Sequence, residues 1–257
     1  MPVTILDDIL ISKVAEVNAL GSIEELKTEV ANLGAREIRK AKWSSGLDVI
    51  AEIKRKSPSK GDLAPIEDPG SLAKSYELGG ASIISVLTDS KYFGAREADF
   101  NDVRKATSLP ILRKDFIIDE KQIYQSYIMG ADLVLLIVAA FEDTKKLIQL
   151  YRCATELGLG VLLETHNEQE VQIANQLEAQ IIGVNVRDLK SFVEDPLLGD
   201  LLIGQIRKES ISVWESSITS IEQAKKAKLS GACAVLIGQG LVQSENPAKF
   251  IQQIRSI

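Results

Sequence analysis

DVIAEIKR, residues 48–55, reads as a buried strand that turns polar toward its C-terminal end. Side chains along a strand alternate between its two faces, so Val49, Ala51 and Ile53 share one face while Ile50, Glu52 and Lys54 share the other. An acid and a base therefore project together just where the strand ends. Buried charge is costly unless it is paired, and a core strand has no use for it there. The polar mouth that forms at the C-terminal ends of barrel strands does.

Working outward, β-branched runs of the same kind recur. They are ASIISVLT at 81–88, LPILRKD at 109–115, ADLVLLIV at 131–138, GVLLETH at 160–166, QIIGVNV at 180–186, ISVWES at 211–216 and AVLIG at 234–238. Longer amphipathic stretches or short loops separate them, the pattern of repeated βα units around a parallel sheet. With DVIAEIKR they make eight units, and a chain of 257 residues is close to the roughly 250 typical of a (β/α)8 barrel. Neither GxGxxG nor GxxxxGK[ST] follows the first run, which disfavours a doubly wound or P-loop sheet. No Pro/Gly/Ser-rich linker interrupts the pattern. The expectation is one α/β domain over 1–257, a (β/α)8 TIM barrel. Before it, Ile5, Ile9, Leu10, Val14 and Val17 recur at helical spacing and an acidic helix follows from about Ser22 to Ala35, so residues 1–45 read as a helical N-terminal extension.

The bulk composition narrows the partners. A formal net charge of −6 gives no broad basic surface for nucleic acid. Two cysteines, Cys153 and Cys233, do not make a disulfide framework and suit a reducing cytoplasm. A lone His166 argues against a zinc site, and no metal is expected. The N-terminus lacks a signal-peptide pattern, and no apolar run is long enough to span a membrane. Nothing in the sequence sets the oligomeric state; a monomer is the simplest expectation.

The polar strand end is not confined to the first unit. Lys114, Glu164, Asn185 with Arg187, and Glu215 occupy the same place in later units. Glu52, Glu164 and Glu215 stand against Lys54, Lys114 and Arg187, a nearly neutral set that can pair with itself. A structural salt-bridge ring at the rim would look similar, but recurrence at one end of five strands favours proton chemistry, since close charges and burial separate pKa values. His166 reads as structural. Two turns are candidates for an anion: SPSKG, which contains Ser57, and Gly238-Gln239-Gly240 after the eighth run, where barrels often hold phosphate.

Taken together, IAEIKRKSPSKG, LTDSKYFGA, LPILRKDFIIDEKQI, GADLVLLI, LLETHNEQE, GVNVRDLKSF, WESSI and VLIGQGL resemble, in order, the motifs of the indole-3-glycerol-phosphate synthase family. The resemblance runs from about residue 48 to the end, and the helical segment before it is similar to that family's extension. It implies conversion of 1-(2-carboxyphenylamino)-1-deoxyribulose 5-phosphate to indole-3-glycerol phosphate in tryptophan biosynthesis, with loss of CO2 and water and no cofactor. By motif match it implies Lys114 as general acid, with Lys54 holding the substrate carboxylate or sharing that role. Glu164 becomes the acid/base of dehydration, Glu52 a second catalytic carboxylate and Asn185 the residue that orients hydroxyls. Arg187 and Glu215 complete the network, and Phe93 and Phe116 line an aryl pocket. Ser57, Ser216, Ser217, Gly238, Gln239 and Gly240 fall at the phosphate side. There the chain departs from the family: ESSI stands where ESGI is usual, so Ser217 replaces a glycine, and Gly238-Gln239-Gly240 lacks a usual carboxylate. Another phosphate-binding barrel isomerase, or a homologue that binds without catalysing, are the alternatives.

Overall fold

The computed structural model describes residues 4–58, 60–187 and 195–257. Eight parallel strands close into a barrel: β1 (Asp48–Ile53), β4 (Ile83–Leu87), β5 (Ile111–Lys114), β6 (Leu133–Ile137), β7 (Gly160–Thr165), β8 (Ile181–Asn185), β9 (Ile211–Glu215) and β10 (Ala234–Ile237). Each falls inside one of the eight runs read from the sequence. Two further short strands, β2 (Lys56–Ser57) and β3 (Gly61–Asp62), pair as a small antiparallel hairpin after β1, closing the SPSKG turn; Ser59 of that turn lies outside the described residues. Helices between Pro69 and Arg255 surround the barrel. Among the described residues no helix is long and apolar enough to cross a membrane.

Strand registers determine what fills the barrel. Ile50 pairs with Ile83 and Leu236, Leu112 with Ser85 and Leu133, Leu162 with Leu135 and Ile181, and Val213 with Gly183 and Ala234. Inward residues of alternate strands stack in layers of four, as in other barrels of this type. Ile50, Leu112, Leu162 and Val213 of β1, β5, β7 and β9 form one buried apolar layer. Two residues further along the same four strands stand Glu52, Lys114, Glu164 and Glu215. The four charged strand ends are thus a single barrel layer, with the β4, β6, β8 and β10 residues Ser85, Leu135, Gly183 and Leu236 forming the layer beneath.

The N-terminal extension is helical only in part. Helix α1 (Ile5–Ala19) starts in a capping box between Thr4 and Asp7, and α2 (Ile23–Leu33) in one between Ser22 and Glu25, so both carry strong start signals. Gly34, at φ 69°, ends α2, and the chain then runs without helix to β1. There Arg36 and Arg39 bond to Asp132 at the start of β6.

The buried face of α1 also differs from expectation. Leu6, Ile9, Lys13 and Val17 are buried, whereas Val14 is 51% exposed. The reason is Lys13, whose ammonium sits 2.8 Å from Asp89 and 2.9 Å from Asp115 with no solvent exposure of its side chain. Both partners lie just beyond strand ends at the barrel mouth, so α1 is fastened over the C-terminal end of the barrel. Removing one partner of a buried pair strands the other charges. Lys13→Met is therefore expected to lower stability by about 3–5 kcal/mol, measured as a shift of the urea midpoint; a change below about 1 kcal/mol, the scale of an exposed pair, would count against the clamp.

Candidate active site

A cleft opens above the charged layer and is lined by all four of its members. Lys114 Nζ donates to Glu164 Oε2 at 2.9 Å and to Glu215 Oε2 at 3.2 Å. Lys54, two residues beyond Glu52 and just past the end of β1, pairs with it at 2.5 Å. Asn185 donates through Nδ2 to Glu164 Oε1 at 3.0 Å, while its Oδ1 accepts from Ser216 Oγ at 2.8 Å and from the Arg187 amide at 3.1 Å. One amide thus ties β7, β8 and the loop after β9 together.

Burial and charge split the two carboxylates that share Lys114. Burial raises both, but the Lys114 ammonium and His166 outweigh it at Glu164, holding that group well below the usual carboxylate range. At Glu215 burial and the Glu164 charge outweigh Lys114, pushing the carboxyl up to about 8. Burial alone would lower Lys114, yet Glu164, Glu215 and Glu52 together raise it above its ordinary value. Near neutral pH the layer therefore presents an ammonium, an ionised carboxylate and a protonated carboxyl within hydrogen-bond reach of one another. Such a separation marks acid and base roles.

His166 was expected to be structural, and it does lie outside the residues that line the cleft. It nevertheless touches the site. Its Nε2 stands 3.1 Å from Glu164 Oε1 and its Nδ1 3.3 Å from Glu170 Oε2. Burial opposes the imidazolium, but the bonds to Glu164 and Glu170 push its pKa up to about 9, so it adds positive charge behind Glu164. The period of two in Glu164-Thr165-His166 was the available signal. Lys13 is the other residue missed; a lysine inside the helical spacing 6, 9, 13, 17 was its trace.

Phe93 and Phe116 are neighbours, with ring centroids 6.0 Å apart and planes tilted by 35°. They form one continuous apolar wall beside Lys114, backed by Leu6 and Ile9 of α1 in the same cluster. Ser57, Ser216, Ser217, Gly238 and Gln239 also line the cleft. Gly240 does not line it: it packs against the Ile218–Thr219 backbone, where a Cβ would fall 3.1 Å from Thr219 Cα. Gly238 approaches the charged layer so closely that a Cβ would collide with Glu52 Oε1.

Both Ser216 (φ 73°) and Ser217 (φ 61°) are left-handed. Ser217, which stands where the family usually has glycine, thus shares a glycine-like conformation with its neighbour. Left-handed backbone at a non-glycine residue costs about 1–3 kcal/mol. Ser217→Gly is accordingly expected to stabilise the protein by about 1 kcal/mol, read from the urea midpoint; a fall in stability would show that Ser217 contacts outweigh the strain.

Comparison with known proteins bears on what this cleft does. The family model described as indole-3-glycerol phosphate synthase matches residues 6–254. The chain is 44% identical to the indole-3-glycerol phosphate synthase of Paenarthrobacter aurescens, over 98% of this chain and 96% of that protein. It is 40% identical to that of Nocardioides sp., over 99% of both. Among solved structures it is similar to thiamine phosphate pyrophosphorylase from Pyrococcus furiosus, with a TM-score of 0.61 and 14% identity over 82% of this chain and 94% of that one. Orotidine 5'-phosphate decarboxylase from Pyrococcus horikoshii gives 0.60 and 14%, over 80% of this chain and 97% of that one. At that identity the structural likeness concerns the fold alone.

Proposed function

The chain belongs to the indole-3-glycerol phosphate synthase family, a carboxy-lyase family of tryptophan biosynthesis, and we propose that the Glu52, Lys114, Glu164 and Glu215 layer performs its ring closure. The substrate, 1-(2-carboxyphenylamino)-1-deoxyribulose 5-phosphate, presents an aryl carboxylate, a ketone and a phosphate. The observation that carries the reading is Lys114 between a low-pKa and a high-pKa carboxyl at the centre of the cleft.

Lys114 donates its proton to the ketone oxygen while the aryl carbon bearing the carboxylate attacks the carbonyl carbon. That forms the new carbon–carbon bond and closes the ring. Loss of CO2 returns its bonding pair to the aryl ring and restores aromaticity. Glu215, protonated near neutral pH and bonded to Lys114, returns a proton to it. The hydroxyl at the former carbonyl carbon takes up a second proton and departs as water, and Glu164 removes a proton from the adjacent methylene to complete the indole. One proton is drawn from solvent overall.

Placement within the layer, enclosed by carboxylates, supports Lys114 as the acid; Lys54, higher and 18% exposed, is suited to the substrate carboxylate. The Phe93 and Phe116 wall takes the aryl ring, Asn185 and Arg187 take the sugar hydroxyls, and Ser57, Ser216, Ser217, Gly238 and Gln239 take the phosphate. These residues form the site within one chain, so no second copy is needed to complete it, and the two free cysteines suit a reducing cytoplasm. The test is indole fluorescence during turnover of the substrate with EDTA present. Product is expected at an undiminished rate; binding without product would favour a homologue that does not catalyse.

A further inference from the structure

The layer beneath the charged one is incomplete. Ser85, Leu135 and Leu236 supply side chains to it and Gly183 does not. Glu215 fills the space. Its Oε1 lies where a Cβ on Gly183 would be, well inside van der Waals contact, and its Cδ would be 3.1 Å and Leu162 Cδ1 3.2 Å from that Cβ. Glu215 is buried, and Oε1 has no hydrogen-bond partner. Its placement is therefore defined by the bond from Lys114 to Oε2, by its contact with Glu164, and by the shape of the hole that receives the other oxygen.

Gly183 is not left-handed; every residue with positive φ among those described lies elsewhere. Its role follows from the missing side chain rather than from backbone freedom. Most of the obstruction to a methyl group is the mobile end of the Glu215 side chain, not backbone. A methyl can be accommodated if that carboxyl moves. In a closely packed barrel the open direction is upward, into the cleft, toward Lys114 and the substrate.

We propose that Gly183 is a positioning residue: its empty place in the layer below sets the depth of Glu215, and so the geometry of the Lys114–Glu215 contact. This rests on the reading in which Glu215 serves the reaction. A displacement on the scale of an ångström within a catalytic constellation costs on the order of a hundredfold in rate.

Gly183→Ala, Glu215→Ala and the double variant are compared with the intact enzyme by kcat, KM and thermal midpoint. Gly183→Ala is expected to lower kcat on the order of a hundredfold and KM by less than about threefold. In the Glu215→Ala background the hole is vacant, and the same methyl is expected to change kcat by less than about threefold, the non-additivity of two residues acting through one contact. Equal losses in both backgrounds would overturn the proposal and assign Gly183 to barrel packing alone. Unchanged kcat in Gly183→Ala, with Glu215→Ala impaired, would overturn it while leaving the role of Glu215 standing. An active Glu215→Ala would remove that role, and the proposal with it. Should Gly183→Ala fail to fold, recovery of the fold in the double variant supports the proposal and continued failure overturns it.

Discussion

Lys114→Ala is expected to lower kcat about 10⁴-fold, because the change removes both the proposed proton donor and the only cation that bonds Glu164 and Glu215 together among the described residues. Single-turnover indole fluorescence separates this from binding: the substrate still docks through its aryl ring and phosphate, so its dissociation constant changes far less than the rate. Lys114→Arg sharpens the point. A guanidinium keeps the positive charge but retains its proton at any working pH, so it restores the electrostatics without the acid. If Lys114→Arg recovers most of the activity, Lys114 acts as a charge and the proton must come from elsewhere.

The second large effect is at Glu164, where Glu164→Gln is expected to lower kcat about 10³-fold with the cleft intact. Glutamine preserves the size of the side chain and its bond to Asn185 but cannot take a proton from the methylene. The block should fall after ring closure, so rapid-quench analysis should find CO2 released before the indole chromophore appears. Loss of CO2 release to the same extent would place Glu164 in the first step instead. The variant also has a pH consequence with a defined sign. The Glu164 charge is one of the causes that raise Glu215, after burial, so its removal lowers Glu215 from about 8 and shifts any alkaline limb due to that group to lower pH.

Much of this site was legible because a strand has a period of two. Glu52 shares a face with Ile50, and the same polar strand end recurring at Lys114, Glu164, Asn185 and Glu215 placed them at one end of five strands; that Glu52, Lys114, Glu164 and Glu215 stand on alternate strands emerged from the register. What the parity did not contain is how they meet. Lys114 lies between Glu164 and Glu215, 50 and 101 residues away along the chain, because the barrel closes, and closure is not a local property. The same holds for Lys13, whose burial depends on Asp89 and Asp115 far along the chain. Reading α1 from apolar residues alone selected Val14, which faces solvent, and passed over the lysine. Gly183 looked like any strand glycine; its meaning appears only when the layer above is in place. Ser216 offered no sign of its left-handed backbone, since serine does not favour it.

The most direct measurement is a crystal structure with the substrate whose ketone has been reduced to an alcohol, which binds but cannot close its ring. The account predicts the alcohol oxygen within hydrogen-bond distance of Lys114 Nζ, the aryl ring against Phe93 and Phe116, and the phosphate at Ser217, Gly238 and Gln239. An alcohol oxygen held away from Lys114, with the ligand reaching none of the four residues of the charged layer, would contradict it.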